Sequence, residues 1–178
     1  ANTPTTMRST MYLPALLIAL SVMACKTREA ATGNAPEAGE QSAVFGGPGK
    51  ADSLFLSLER TPCFGLCKAY RIHVYRSGYA TFEGVSNVEK EGMHEGRVGA
   101  DTLAQLLKEA ERLGFFALND VYDSQVTDLP STKLRIVANG KDKHVLARVG
   151  TPPNFKALAE RVDELLLPLP WKPVPAKY

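Results

Sequence analysis

Apolar positions in this chain recur with two periods. From Ser53 to Glu59 every second residue is apolar, with Leu54, Leu56 and Leu58 on one face. Ala69 to Tyr75 repeats the pattern, setting Tyr70, Ile72 and Val74 against Arg71, His73 and Tyr75. A period of two is that of a strand with one buried face. Ser77-Gly78 reads as a tight turn into a third strand, Tyr79 to Glu83. Glu89 to Val98 is polar and glycine-spaced, which fits a fourth, edge strand. Thr132 to Ala138, the Asn139-Gly140 turn and Lys143 to Val149 predict a second hairpin.

Two stretches follow the helical period instead. Asp101 is expected to start a helix whose apolar stripe is Leu103, Leu106, Leu107, Ala110 and Leu113, with Gly114 as its stop signal. Phe115 and Phe116 are expected to plug the core. Thr151 with Pro152 opens a second helix with Phe155, Leu158, Val162, Leu165 and Leu166 inward, ended by Pro168. Hairpins imply antiparallel pairing, and each helix has one apolar stripe. The expected fold is therefore α+β: an antiparallel sheet of about five or six strands with two helices packed on one face.

The N-terminus follows a different logic. Met7-Arg8 is a basic start, Tyr12 to Val22 an apolar run, and small Ala24 precedes Cys25. This is the layout of a secretory signal, and the run is about half of the ~20 residues that a spanning helix needs. Val22, Ala24 and Cys25 resemble a bacterial lipobox. The resemblance implies cleavage before Cys25, lipid on its thiol and amine, and stable membrane attachment through several acyl chains. Lys26 after the cysteine implies, by the same resemblance, release to an outer membrane facing the periplasm.

Residues 1–25 are thus expected to be signal, and 26–52, rich in Ala, Gly, Glu, Pro, Ser and Thr, a flexible linker. Residues 53–167 have the size of one domain with one core. Residues 168–178 hold four prolines and read as a C-terminal extension, with Trp171 strapped onto the domain. The protein has 21 Lys and Arg against 19 Asp and Glu, and the signal contains only Arg8 of these. So balanced a charge, with no basic stripe interleaved with aromatics, argues against nucleic acid as a partner.

Cys63 and Cys67 lie between the first two strands. With Cys25 lipidated they are an even pair in an oxidising compartment, where a disulfide is the first reading. Extended, their Cα atoms would be ~13 Å apart, against the ~7 Å limit of a bridge, so the segment must turn at Gly65. The alternative is a thiol-based metal or redox site for Cu or Zn, with His94 as a third ligand; soft thiolates suit Cu(I). The spacing resembles the Cys-x-x-x-Cys of copper chaperones, although Lys68 stands where those carry proline. Otherwise no cofactor is expected.

Asp123 and Asp128, in a polar loop, are candidates for a carboxylate site. The loop lacks the alternating oxygen ligands of an EF-hand, and Asx-turn and capping roles compete. Ser124 and Ser131 have no nucleophile-elbow glycines. His73 and His144 fall on polar strand faces. No phosphate cradle, zinc array or dinucleotide fingerprint is present.

The run Leu58-Glu59-Arg60-Thr61-Pro62-Cys63-Phe64-Gly65-Leu66-Cys67, then Tyr70 and Tyr75-Arg76-Ser77-Gly78, resembles domain-of-unknown-function family 6438. Phe82-Glu83-Gly84, Gly92-Met93-His94, Gly114-Phe115-Phe116, Thr127-Asp128-Leu129-Pro130 and Asn139-Gly140 continue the match. That family occurs in bacterial secreted and lipid-anchored proteins. The resemblance implies one exported domain with a shared Cys63/Cys67 pair and brings no activity.

The function expected from these residues is a lipid-anchored envelope protein, non-catalytic, that binds another envelope protein or a cell-wall component or has a structural role. A Cu, Zn or redox protein is the rival, and an enzyme acting through Asp123 and Asp128 comes third.

Overall fold

The computed structural model describes residues 52–124 and 128–175. In chain order come β1 (Leu54–Arg60), β2 (Ala69–Tyr75), β3 (Tyr79–Ser86), β4 (Gly92–Arg97), α1 (Ala100–Arg112) and a 3-10 turn at Phe115–Ala117. They are followed by β5 (Val121–Tyr122), β6 (Thr132–Ala138), β7 (Lys141–Ala147), α2 (Pro153–Leu166) and β8 (Lys172–Pro173). The strands form one sheet in the order β5-β7-β6-β1-β2-β3-β4-β8. Cys25, the expected signal and the expected linker up to residue 51 lie outside the described residues. Among the described residues no helix is long and apolar enough to cross a membrane.

The α+β class matches the expectation; the strand count corrects it. The sheet has eight strands, not five or six. The additional strands, β5 and β8, are two residues long, too short to carry a period. Each is extended because a longer neighbour offers backbone groups that need partners. Leu146 N donates to Asp120 O and Arg148 N to Tyr122 O, both at 2.8 Å, and Val174 N donates to Met93 O at 2.9 Å. The β5–β7 pair is parallel, so the sheet is mixed. β4 is not an edge strand: β8 pairs with it at His94 and Glu95.

Register separates the two faces. Leu58 pairs with Ile72 and with Leu134, and Ile72 with Phe82, so the apolar residues of adjacent strands share one face. Leu106 and Ala110 of α1, and Phe155, Leu158, Ala159, Val162 and Leu166 of α2, are buried with them in one cluster. Phe115 closes the space between the layers, its ring 6.5 Å from that of Phe155. A shift in the β1–β2 register between Leu54 and Leu56 lets adjacent Phe55 and Leu56 both be buried.

The helix ends differ slightly from the pattern. The N-cap of α1 is Gly99, and Asp101 lies in the first turn, where a carboxylate interacts favourably with the helix dipole. The N-cap of α2 is Pro152, followed by Pro153, whose fixed φ and missing N–H suit a first turn. In the segment expected as an extension, Trp171 is buried. Its ring lies against Gly96, where a Cβ would come 3.0 Å from Trp171 Cε3, so any larger residue there makes the indole give by a few tenths of an ångström. Trp171 Nε1 donates to Leu166 O at 3.1 Å.

Candidate functional site

Three connections meet at one end of the sheet: β1 to β2, β3 to β4, and the approach to β6. The approach is pinned by Ser131, whose N donates to Thr61 Oγ1 at 2.7 Å while Thr61 N donates to Ser131 O at 3.0 Å. From there the backbone enters the loop closed by the Cys63–Cys67 disulfide, with Cα atoms 5.7 Å apart. The turn is made at Gly65, whose φ is +153°, a conformation that side chains with a Cβ rarely adopt. Gly65 N donates to Cys63 O at 2.9 Å.

A loop this short has no interior. Phe64 and Leu66 are 92% and 90% exposed on a covalently closed turn. The side chain of Asn87, from the β3–β4 connection, donates to Gly65 O at 3.3 Å and to Cys67 O at 3.1 Å. The tip is therefore fixed both by the bridge and by its neighbour.

Behind the tip, α2 is tied to the sheet by a polar cluster. Arg60 meets Asp163 at 2.5 Å, Tyr70 donates to the other Asp163 oxygen at 2.6 Å, and Arg60 donates to Thr132 Oγ1 at 2.9 Å. Burial and the Asp163 carboxylate push the Tyr70 hydroxyl well above its ordinary pKa. The phenol thus stays protonated as a hydrogen-bond donor.

Beside the tip is a cavity of about 120 Å³ lined by Lys68, Tyr70, Phe82, Val88, Glu89, Lys90, Leu167 and Trp171. Its aromatic wall is continuous: the Tyr70 and Phe82 rings stack at 5.7 Å, and Phe82 and Trp171 lie 5.5 Å apart.

The uncovered face of the sheet is polar. Glu59 pairs with Arg71 at 3.4 Å and Lys133 at 3.1 Å, Arg71 with Glu83 at 2.9 Å, and Arg135 with Asp142 at 2.6 Å. Partial burial works upward on the Glu59 carboxyl, but Lys133 and Arg71 together hold it below its ordinary value. Burial pushes the His73 imidazole down. These charges neutralise one another within the sheet.

The residues singled out in the sequence end up in different surroundings. Cys63 and Cys67 are joined. His94 is on β4, buried and facing the core, edge-on to Phe82 at 6.1 Å, with Nδ1 3.2 Å from Gly92 O. Among the described residues no three His, Cys, Asp or Glu side chains form a group that could hold a metal. Asp123 accepts from the N–H of the next residue, Ser124, at 2.8 Å and faces Arg148 at 3.7 Å. Asp128 lies with Pro62, Cys63 and Phe64 around a shallow surface depression. Residues 125–127, between the two aspartates, lie outside the described residues.

Sequence reading did not single out Phe64 and Leu66 as exposed, although a signal was there: a loop closed over four residues cannot fold its own side chains inward. Asn87 and the cavity had no such signal, since they depend on which connections meet.

The model of the family described as Domain of unknown function (DUF6438) matches residues 54–166. A comparison with curated proteins finds no match.

Proposed function

The protein belongs to that family, whose description names no activity. We propose, from the lipobox-like run ending at Cys25, a lipid-anchored bacterial envelope protein and, from the geometry of the described residues, a domain that is a non-catalytic binding module with the Cys63–Cys67 loop as its contact tip. The reading rests on one observation: Phe64 and Leu66 stand 92% and 90% exposed on a loop closed by a disulfide. Covering a Phe or Leu contributes about 1.5–3 kcal/mol each, and a rigid loop loses little freedom on binding. Exposed apolar residues concentrated on a rigid tip fit protein contact better than a solvated turn.

The expected spacer joins the domain at Asp52, beside the Ser77 turn: Ser77 N donates to Asp52 Oδ1 at 3.2 Å. The tip is at the other end of β1, about 20 Å further on for a strand of this length. The partner proposed for this tip is another envelope protein.

The test is a photo-crosslinking residue placed at Phe64, Leu66 or, as control, Lys141 in the full-length protein in its own cells. Discrete protein adducts from positions 64 and 66 and none from 141 are expected. Equal labelling from all three, or none, would sink the proposal. The anchor is checked separately by Cys25→Ser, which is expected to move the protein out of the membrane fraction.

A further inference from the structure

We propose that the aromatic cavity beside the tip is an anchor pocket for the C-terminal residue of a partner polypeptide, taking an apolar side chain between Tyr70, Phe82, Val88 and Trp171 and its carboxylate at Lys68 and Lys90. The inference rests on the binding-module reading and names the chemistry of the partner.

Size decides first. At about 120 Å³ the cavity is smaller than the ~300–1,000 Å³ of a drug-sized site. It is near the ~150 Å³ apolar cavity that admits one benzene ring. It therefore takes one side chain, of leucine or phenylalanine size. Stacked rings and a valine make the interior apolar.

Charge decides second. The lip holds Lys68, Lys90 and Glu89, an excess of one positive charge. Among the described residues nothing engages the Lys68 ammonium, and the ion pair of Lys90 with Glu89 is long, at 3.7 Å. Two ammonium groups with spare donors next to an apolar hole suit an apolar group that carries its own carboxylate. The C-terminal residue of a polypeptide has that combination.

Position decides third. Lys68 follows Cys67 directly, and Val88 and Lys90 follow Asn87 in the connection that holds the loop. Lys68, next to the bridge, and Val88, next to Asn87, thus put one wall of the cavity beside the tip, and the proposed polypeptide lies across Phe64 and Leu66 and ends in the cavity.

Trp171 is the only tryptophan in the protein and lines the cavity, so its fluorescence reports occupancy. The full-length protein in detergent micelles is titrated with acetyl-Ala-Ala-Ala-Leu bearing a free carboxylate, with its C-terminal amide, and with acetyl-Ala-Ala-Ala-Ala. A saturable change is expected with the first peptide. Affinity about tenfold weaker, or ~1.4 kcal/mol, is expected for the amide, for the alanine peptide and for Lys68→Glu. Val88→Phe, which fills the cavity, is expected to abolish the change while the melting transition is kept. No saturable signal, equal affinity for acid and amide, or unaltered binding by Lys68→Glu would overturn the pocket. Because Lys68 is exposed, that variant tests the idea without risk to folding. Adducts at position 64 that persist in a protein failing the peptide test would remove the pocket and leave the tip. Peptide binding without such adducts would remove the tip instead.

Discussion

The side chain of Asn87 donates a 3.1 Å hydrogen bond to the carbonyl oxygen of Cys67, joining the β3–β4 connection to the disulfide loop. Asn87 itself is at φ 55°, in the left-handed region, so Asn87→Gly keeps the backbone and removes only the bonds. About 1 kcal/mol of stability should be lost. Hydrogen exchange should quicken at the amides of Phe64 to Cys67 and stay unchanged in α1. Unchanged loop exchange would mean that the bridge alone holds the tip.

Removing the bridge measures its part. Cys63→Ala with Cys67→Ala should cost about 2 kcal/mol, since closing so short a loop constrains the unfolded state only modestly. In the Cys25→Ser variant, thiol titration without reductant should detect no reactive sulfur. Two reactive thiols would reopen the Cu or Zn reading of Cys63 and Cys67.

Gly96→Ala tests the C-terminal strap. The new Cβ would lie 3.0 Å from Trp171 Cε3, so the indole must shift outward. Overpacking of this kind costs about 1–3 kcal/mol. Trp171 emission should move to longer wavelength, and an unmoved spectrum would show that the strap yields elsewhere.

The Arg60–Asp163–Tyr70 cluster should respond as a unit. Asp163→Ala removes the carboxylate from both partners and should cost about 2–3 kcal/mol, the range for charge-assisted bonds. Tyr70→Phe should cost about 1 kcal/mol. The double variant should be less destabilised than the sum, because both changes remove the same contact. Urea unfolding of the parent, the two single variants and the double variant checks this.

Acid should weaken the fold in two steps. Burial holds the His73 imidazole below its ordinary 6.5, so as pH falls past that value the unfolded state takes a proton that the folded state resists. Stability is therefore full above pH 6.5 and declines below it. Lys133 and Arg71 hold Glu59 below its ordinary 4.5, which adds a second decline beneath that value. His73→Gln should remove the first step in urea midpoints measured across pH and leave the second.

The strands and helices that pack the core were legible because each has a period. Leu54, Leu56 and Leu58, or Leu103, Leu106, Leu107 and Ala110, reveal a buried face without any knowledge of what covers it. Lys172–Pro173 and Val121–Tyr122 reveal nothing alone, since two residues have no period. His94 stood in a polar, glycine-spaced stretch that gave no sign of a buried face, yet pairing with β3 and β8 turns it into the core.

Local pattern in the amino-acid order was enough for an α+β domain, its two main hairpins, its two helices and the turn that Cys63, Gly65 and Cys67 must make. Alternation, helical spacing and loop closure act between residues near one another along the backbone. Folding in three dimensions was needed to show that Phe64 and Leu66 stand clear of the core, that Asn87 braces them, and that Lys68, Phe82, Lys90 and Trp171 surround one cavity. These depend on which connections converge at one end of the sheet, and convergence is set by strand order and the packing of α2, which link residues about a hundred positions apart.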